Sequence, residues 1–222
     1  MMLRAYIRFV VYIIFVALIL FLSAGRLDWT AAWVFLIIYT AIILIGVIFV
    51  DPGLIEERSH IGPGAKRWDI VIASLAVVFL FPATFLVAGL DAGRYHWSPP
   101  FPIWLQIAAF LGFLMGSALQ SWAIITNKFF SAVVRIQTDR GHYVITDGPY
   151  RYVRHPGYTG IIVTSFAIPL MLGSLWALVP ALIGDFILVV RTLLEDNTLK
   201  NELAGYTEYT AKTRYRLIPG IW

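Results

Sequence analysis

The sequence predicts an all-α, polytopic transmembrane helical bundle of five to six spans with a cofactor pocket at its cytoplasmic face. Three observations carry that expectation. Of 222 residues, 59% are hydrophobic and 14% are charged, against roughly 45–50% and 25% in soluble domains. Four uninterrupted apolar runs meet the roughly 20 residues that a helix needs to cross a bilayer core of about 30 Å. The charged residues gather between these runs, mostly on one side of the implied bilayer.

The first run, 6–24, follows Arg4 and Arg8 and could be mistaken for a signal segment. Its apolar length exceeds the usual 7–15-residue core of such a segment, and a second span follows almost at once, so it reads as a retained helix. The second run, 29–50, leads into a segment at 51–67 where Asp51-Pro52-Gly53 and Gly62-Pro63-Gly64 punctuate a turn and a loop. The third and fourth runs, 68–90 and 101–126, flank a short connection at 91–100. Beyond the largest loop, 127–155, residues 158–194 are long enough for two passes, with Gly173-Ser174 as the break. The first arm, 158–172, contains Pro169. At about 1.5 Å per residue it covers little more than about 22 Å, so it is either a kinked crossing or an incomplete arm of a hairpin. Residues 196–222 form a polar tail. Two regions result: 1–126, four N-terminal helices with the loop 51–67, and 127–222, a catalytic region of cofactor loop, helical hairpin and cytoplasmic tail. No internal repeat supports a transporter built from repeated halves.

With the N-terminus inside, the inner segments hold Arg4, Arg8, Arg58, Lys66, Arg67, Lys128, Arg135, Arg140, Arg151 and Arg154, and the last helix and tail add Arg191, Lys200, Lys212, Arg214 and Arg216. Only Arg26 and Arg94, of 17 lysines and arginines, fall outside. The excess of inner cations places both termini in the cytoplasm. Cations beside spans face anionic membrane lipids rather than nucleic acid. The absence of cysteine excludes disulfides, thiolate metal sites and cysteine nucleophiles. Met2 and the ending Gly220-Ile221-Trp222 carry no lipidation signal.

The stretch Gly148-Pro149-Tyr150-Arg151-Tyr152-Val153-Arg154-His155-Pro156-Gly157-Tyr158 concentrates polarity between apolar runs. Two further groups converge with it on the cytoplasmic side: Arg135, Gln137 and His142, and Arg191, Glu195 and Asp196. Arg191 and Glu195 stand four apart, so they share a helix face; they can pair in an interfacial salt bridge or grip the two ends of a zwitterion. Arg151 and Arg154 serve equally as lipid-phosphate anchors. Pro156 suits the first turn of a helix, whose N-terminus offers free N–H groups and partial positive charge to a carboxylate. Asp185, inside an apolar helix, either lines a cavity or hydrogen-bonds within the bundle. Dinucleotide, P-loop and HExxH signatures are missing, and His60, His96, His142 and His155 lack metal-ligand spacing.

These residues resemble the isoprenylcysteine carboxyl methyltransferase family and its phospholipid-methyltransferase relatives. The resemblance is carried by Gln137, His142-Tyr143-Val144-Ile145, Gly148-Pro149-Tyr150, Arg154-His155-Pro156-Gly157-Tyr158, and Arg191 with Glu195. The tail Tyr206-Thr207-Glu208-Tyr209 and Arg216-Leu217-Ile218-Pro219 also fits, and upstream the segments 51–58 and 64–69 resemble prokaryotic members. The resemblance implies S-adenosyl-L-methionine as methyl donor. It assigns Gln137, His142, Tyr143, Val144, Ile145, Tyr150, His155, Pro156, Gly157, Tyr158 and Glu195 to the cofactor and Arg191 to the acceptor, with Arg191 and Glu195 catalytic. The chain departs from the family's frequent Glu-Glu pair by having Glu195-Asp196.

The chemistry is compatible. His155 and the helix N-terminus suit the donor's carboxylate, Glu195 its ammonium, and Tyr150 and Tyr158 offer aromatic faces to adenine or the cationic sulfur. A carboxylate acceptor needs no general base and can be oriented bidentately by arginine. A lipophilic acceptor would enter from the bilayer while the donor enters from the cytosol. An amine acceptor, as in phospholipid N-methylation, would instead require a base such as Glu195 or Asp185. A sterol-reductase type of enzyme would need room for NADPH, for which the short loops offer no obvious extra site. A non-catalytic membrane factor leaves the 150–158 and Arg191/Glu195 groups without a purpose. The sequence does not name the acceptor or the oligomeric state.

Overall fold

The computed structural model describes residues 2–222, with side chains described for all of them except 2–6 and Val47; Arg4 therefore lies outside the described side chains. Every regular element among the described residues is helical. Helices α1 (Met2–Ala24) and α2 (Thr30–Phe49) are followed by the short α3 (Pro52–Glu57). A long rod then combines α4 (Arg67–Val78), a π-helical turn at Phe79–Ala83 containing Pro82, α5 (Thr84–Ala88) and a second π-helical stretch at Gly89–Tyr95. Next come α6 (Ile103–Thr126), α7 (Pro156–Leu172), α8 (Leu178–Glu202) and α9 (Tyr206–Lys212).

Three helical stretches, Ile7–Ala24, Arg67–Tyr95 and Ile103–Thr126, are long and apolar enough to cross a membrane, and Thr30–Gly46 and Pro156–Leu172 are shorter apolar helices. Ile14 of α1, Ile37 and Phe49 of α2, Val71 of α4, Met115 of α6 and Phe186 of α8 are all exposed. Apolar surface on this scale, continuous around the bundle, belongs against lipid rather than water; the chain is an integral membrane protein. Helix α7 does contain Pro169, and it stops at Gly173, whose φ of 79° is the left-handed conformation that ends helices on glycine. The break expected at Gly173-Ser174 is therefore found. The connection expected at 91–100 is shorter than the sequence suggested, because the rod stays helical to Tyr95.

The core forms where Leu20, Phe35, Phe85, Phe113 and Ile168 meet. Helices α6 and α7 pack closely on each other across glycines. A Cβ on Gly116 would lie 2.8 Å from the Gly160 carbonyl oxygen, and one on Gly160 would lie 2.6 Å from that of Gly116. Small residues let helix backbones approach in this way within a membrane, where water-driven burial does not hold helices together.

Two polar networks pin opposite ends of the rod. Near its end, the buried Asp91 accepts from the Ser98 backbone N–H (2.7 Å), the Ser98 hydroxyl (2.5 Å) and the Ser174 hydroxyl (2.5 Å), tying the connection after the rod to the α7–α8 turn. At its start, Asp69 reaches α8 and the long loop. That second end holds the candidate site.

Candidate functional site

The long loop between α6 and α7 wraps over the end of the bundle and is anchored by buried charge. Arg135 donates bidentately to Glu57 at 2.8 and 3.0 Å and also to Asp139 at 2.8 Å, which fastens α3 and its loop to the 127–155 segment. The Arg135 guanidinium holds Glu57 below the usual carboxylate range. Gln137, fully buried, donates from its side chain to the Phe129 carbonyl and accepts from Arg140. Its backbone N–H donates to His142 Nδ1 at 3.3 Å. Burial first, then Arg135 and Arg140, push the His142 imidazole down to about 4.

The start of α7 is held by a second network around Asp196. Arg154 donates to both Asp196 oxygens at 2.8 and 3.0 Å, Arg216 donates at 3.0 Å, and the Tyr206 hydroxyl donates at 3.0 Å. Burial alone would raise the Asp196 carboxyl, but His155 and Arg154 beside it hold it well below the usual carboxylate range. Arg154 thus serves as a buried brace, not as a lipid anchor; Arg151, exposed and paired with Asp147, stays at the surface. Arg154 and His155 also donate their backbone N–H groups to the carbonyls of Tyr215 and Arg216, so the tail closes over the site.

Between these networks lies a cavity open to solvent, lined by side chains of the long loop, α7, α8 and α9. His142, Tyr143, Val144, Ile145, Tyr150, His155, Gly157, Tyr158, Arg191 and Glu195 all line it. Gln137 and Pro156 do not line it: Gln137 ties the loop from behind, and Pro156 opens α7. The His155 Nε2 atom is buried, makes no hydrogen bond, and stands 3.5 Å from the nearest Asp196 oxygen. Buried polar atoms without partners are rare and call for one. Pro156 has no N–H, and the Gly157 N–H in the first turn lacks an intrahelical acceptor by its position. Across the cavity, Glu195 accepts a 2.5 Å hydrogen bond from the Tyr158 hydroxyl. The His155 and Tyr158 rings stack, with centroids 5.7 Å apart and planes 2° from parallel.

Arg191 does not pair with Glu195. It forms a bidentate pair with Asp69, at 2.7 and 2.9 Å, and donates to the Ala132 carbonyl. Its guanidinium also lies over the Tyr158 ring, 5.3 Å from the centroid. Asp69, fully buried in the first turn of α4, was missed in the sequence. An acid at the start of an apolar run, with an arginine near the end of another, was the available signal. Asn127, Phe129 and Phe130 were not assigned to the site either, and Tyr206 and Tyr209, noted in the sequence only as part of the matching tail, also line the cavity. Asp185 lines neither cavity described here; both of its oxygens lie within 2.7 and 2.8 Å of the Ser165 hydroxyl. Of its two expected roles, the bundle hydrogen bond is the observed one.

A second, more apolar cavity opens among α2, α6 and α7, lined by Tyr39, Ile42, Phe113, Ile124 and Ile168 together with Arg58.

Residues 107–201, which hold most of this site, match the model of the isoprenylcysteine carboxyl methyltransferase (ICMT) family. The chain is 38% identical over 66 residues to a protein-S-isoprenylcysteine O-methyltransferase of Schizosaccharomyces pombe, covering 29% of this chain and 28% of that one. It is 28% identical over 103 residues to protein-S-isoprenylcysteine O-methyltransferase B of Arabidopsis thaliana, covering 46% and 45%. The chain therefore spans less than half the length of these relatives. A solved structure of a eukaryotic intramembrane Ras methyltransferase, ICMT, superposes with a TM-score of 0.48 at 17% identity, covering 99% of this chain and 85% of that one. The family resemblance read from the sequence motifs is borne out over the matched segment.

Proposed function

We propose that this chain is an S-adenosyl-L-methionine-dependent membrane methyltransferase that O-methylates the carboxylate of an isoprenylcysteine-like or other lipophilic acceptor. The observation that carries the reading is that one cavity is lined both by His155, whose buried Nε2 makes no hydrogen bond, and by the Glu195 carboxylate. A zwitterionic amino-acid end needs such a pair: donors for its carboxylate, an anion for its ammonium.

The residues present fit the donor. His155 and Gly157 line the cavity, so their imidazole and backbone N–H are the donors we assign to the carboxylate, and the N-terminal end of α7 adds partial positive charge. Glu195 takes the ammonium while Tyr158 fixes its orientation. The ring of Tyr150 offers a π face to a cation, whereas that of Tyr158 is already engaged by His155 and the Arg191 guanidinium; Val144, Ile145 and Leu199 supply apolar wall. Bound there, S-adenosylmethionine supplies an electrophilic methyl group whose transfer to a carboxylate oxygen leaves a neutral thioether and moves no proton. The protein's task is then positioning, which carries much of the rate in such displacements. His142, Tyr143 and Tyr150 close the cavity on the loop side. Gln137 and Pro156 act through the loop and the helix start that they hold.

The apolar cavity is the natural place for the acceptor's lipid part, reached from the bilayer between α2 and α6. Arg191 faces the donor cavity and keeps Nη1 free of hydrogen bonds among the described residues, so it can meet an acceptor oxygen while Asp69 compensates its charge. We read the 1–126 region as the lipid-facing scaffold and 127–222 as the catalytic region, with five to six passes and both termini cytoplasmic. The cation distribution supports that orientation.

Calorimetry on the purified protein in detergent, with S-adenosylmethionine and NADPH in parallel, tests the reading. Micromolar methyl-donor binding and none for NADPH is the expected result, followed by methyl transfer to farnesylcysteine analogues in a screen that includes fatty acids and phospholipids. A folded sample that ignores the methyl donor sinks it.

A further inference from the structure

We infer that Arg58, not Arg191 alone, supplies the positive charge that receives the acceptor's carboxylate; the inference rests on the methyltransferase reading and names the group that reads its second substrate. Arg191 is compensated by a carboxylate at hydrogen-bond distance on two of its nitrogens. Arg58 has no carboxylate partner among the described residues. Its hydrogen bond is to a neutral acceptor, the Phe130 carbonyl, from Nη1 at 3.1 Å. Its guanidinium also sits 5.0 Å from the centroid of the Phe130 ring.

Place matters as much as charge. Arg58 lines the apolar cavity, and Phe130 lines the donor cavity, so the Arg58–Phe130 pair stands where the two meet. Tyr158, Arg191 and Tyr150 are all close enough to bear on the charge of Arg58. Burial is the main cost to its charge, Arg191 adds to that cost, and Tyr158 and Tyr150 offset part of it. Asp69 pairs with Arg191 alone, and Glu195, the other carboxylate that bears on Arg191, is the one the donor's ammonium would take. With the donor bound, the two guanidiniums keep one carboxylate, and a single further anion would restore the balance. A lipophilic acid seated with its tail in the apolar cavity would bring its carboxylate to that point.

The position of Arg58 is built. Asp51 caps α3 by accepting from the Leu54 N–H at 3.1 Å. Glu57, the neighbour of Arg58, is clamped by Arg135. The segment 51–67 thereby becomes part of the acceptor site.

The test uses binding, without turnover. The purified protein in detergent is titrated with a farnesylated thioether carboxylic acid, its methyl ester and farnesyl phosphate, in wild type, Arg58→Gln and Arg58→Lys. S-adenosylmethionine titration of each variant serves as the control for an intact donor cavity. Wild type is expected to bind the acid at least tenfold tighter than the ester, about 1.4 kcal/mol. Arg58→Gln is expected to erase that preference while ester and S-adenosylmethionine affinities stay within about twofold, and Arg58→Lys to restore part of it. Four results overturn the inference: no acid preference in wild type, a preference retained in Arg58→Gln, loss of ester or donor binding along with it, or tighter Arg58-dependent binding of the phosphate than of the acid. An Arg58-dependent acid preference in a protein that ignores S-adenosylmethionine would sink the methyltransferase reading and leave the acid site standing. Methyl transfer with an acid preference indifferent to Arg58 would do the reverse.

Discussion

Arg191 of α8 and Asp69 of α4 form a bidentate ion pair in which Asp69 is fully buried and also accepts the Val134 N–H at 2.6 Å. One carboxylate thus ties a membrane helix, the neighbouring helix and the site loop together. Removing one partner of a buried pair costs about 3–5 kcal/mol, because the other charge is left unpaired. Asp69→Asn is expected to lower the thermal midpoint of the detergent-solubilised protein more than any single exposed-charge substitution, such as Arg151→Gln. The double variant Asp69→Asn/Arg191→Gln should recover part of the loss. Additive losses in the double variant would show that the pair is not the structural tie.

Glu195 combines a charge with a shape, because its carboxylate both faces the cavity and accepts from Tyr158. Glu195→Gln keeps an acceptor for that hydroxyl and removes the charge. Both Glu195→Gln and Glu195→Ala are expected to weaken S-adenosylmethionine binding tenfold or more, about 1.4 kcal/mol. Calorimetry that finds Gln as good as Glu would remove the ammonium contact from the mechanism.

Gly157 has no room for a side chain: a Cβ would lie 2.6 and 2.7 Å from two carbons of the Phe130 ring. That ring also stands beneath Arg58, so displacing it disturbs both cavities at once. Gly157→Ala is expected to raise KM for donor and for acceptor together, each by about tenfold, a loss worth about 1.4 kcal/mol. A variant that changes only one of the two constants would separate the cavities.

Asp185 meets a single polar side chain, the Ser165 hydroxyl, whose one proton is shared among both carboxyl oxygens and the Ile162 carbonyl. An amide supplies a donor of its own to such a cluster. Asp185→Asn is therefore expected to retain methyl transfer and thermal stability, whereas Asp185→Leu leaves the hydroxyl with only the backbone and lowers stability by about 1 kcal/mol. Loss of turnover in a stable Asp185→Asn protein would return this residue to the catalytic site.

Local signals explain what was legible in the sequence. Apolar runs marked the helices, and glycine at 173 marked the hairpin turn, because both are properties of short stretches of chain. The 142–145 and 150–158 stretches were recognisable for the same reason, since each lies together along the chain; of the second, Tyr150, Arg154, His155, Gly157 and Tyr158 meet the cavity that 142–145 line, and Arg151, Tyr152, Val153 and Pro156 do not. Partner choice was not legible. Arg191 and Glu195 share a face by helical spacing, yet the carboxylate that Arg191 takes lies 122 residues away, where only tertiary packing brings it. Arg154 likewise read as an anchor, because its partner Asp196 is 42 residues distant. Arg58 was visible only as a charge in a loop; its isolation from carboxylates is a fact about everything that surrounds it.

His142 makes the site loop sensitive to acid. Its Nδ1 accepts from the Gln137 N–H, which requires that nitrogen to stay unprotonated, and burial with Arg135 and Arg140 nearby lowers its pKa from 6.5 to about 4. The unfolded chain therefore binds a proton between these values that the folded chain refuses. Stability falls as pH drops from about 6.5 to about 4, levels off below that for this group, and is unaffected by it above about pH 7. The upper bound on the loss is about 3.4 kcal/mol, from 1.36 kcal/mol per pKa unit, and solvent screening of the part-exposed ring brings the effect below it. Asn at this position keeps a side-chain acceptor near Nδ1 and does not titrate. Thermal unfolding across pH 4–8 should show a shallower fall for His142→Asn than for wild type, with the two curves converging above pH 7. Parallel curves down to pH 4.5 would mean that the imidazole is protonated in the folded protein and that the Gln137 contact is not what holds the loop. Because His142 lines the donor cavity, the same titration should appear in binding: wild-type S-adenosylmethionine affinity is expected to hold between pH 8 and 6, then to fall where the loop begins to open.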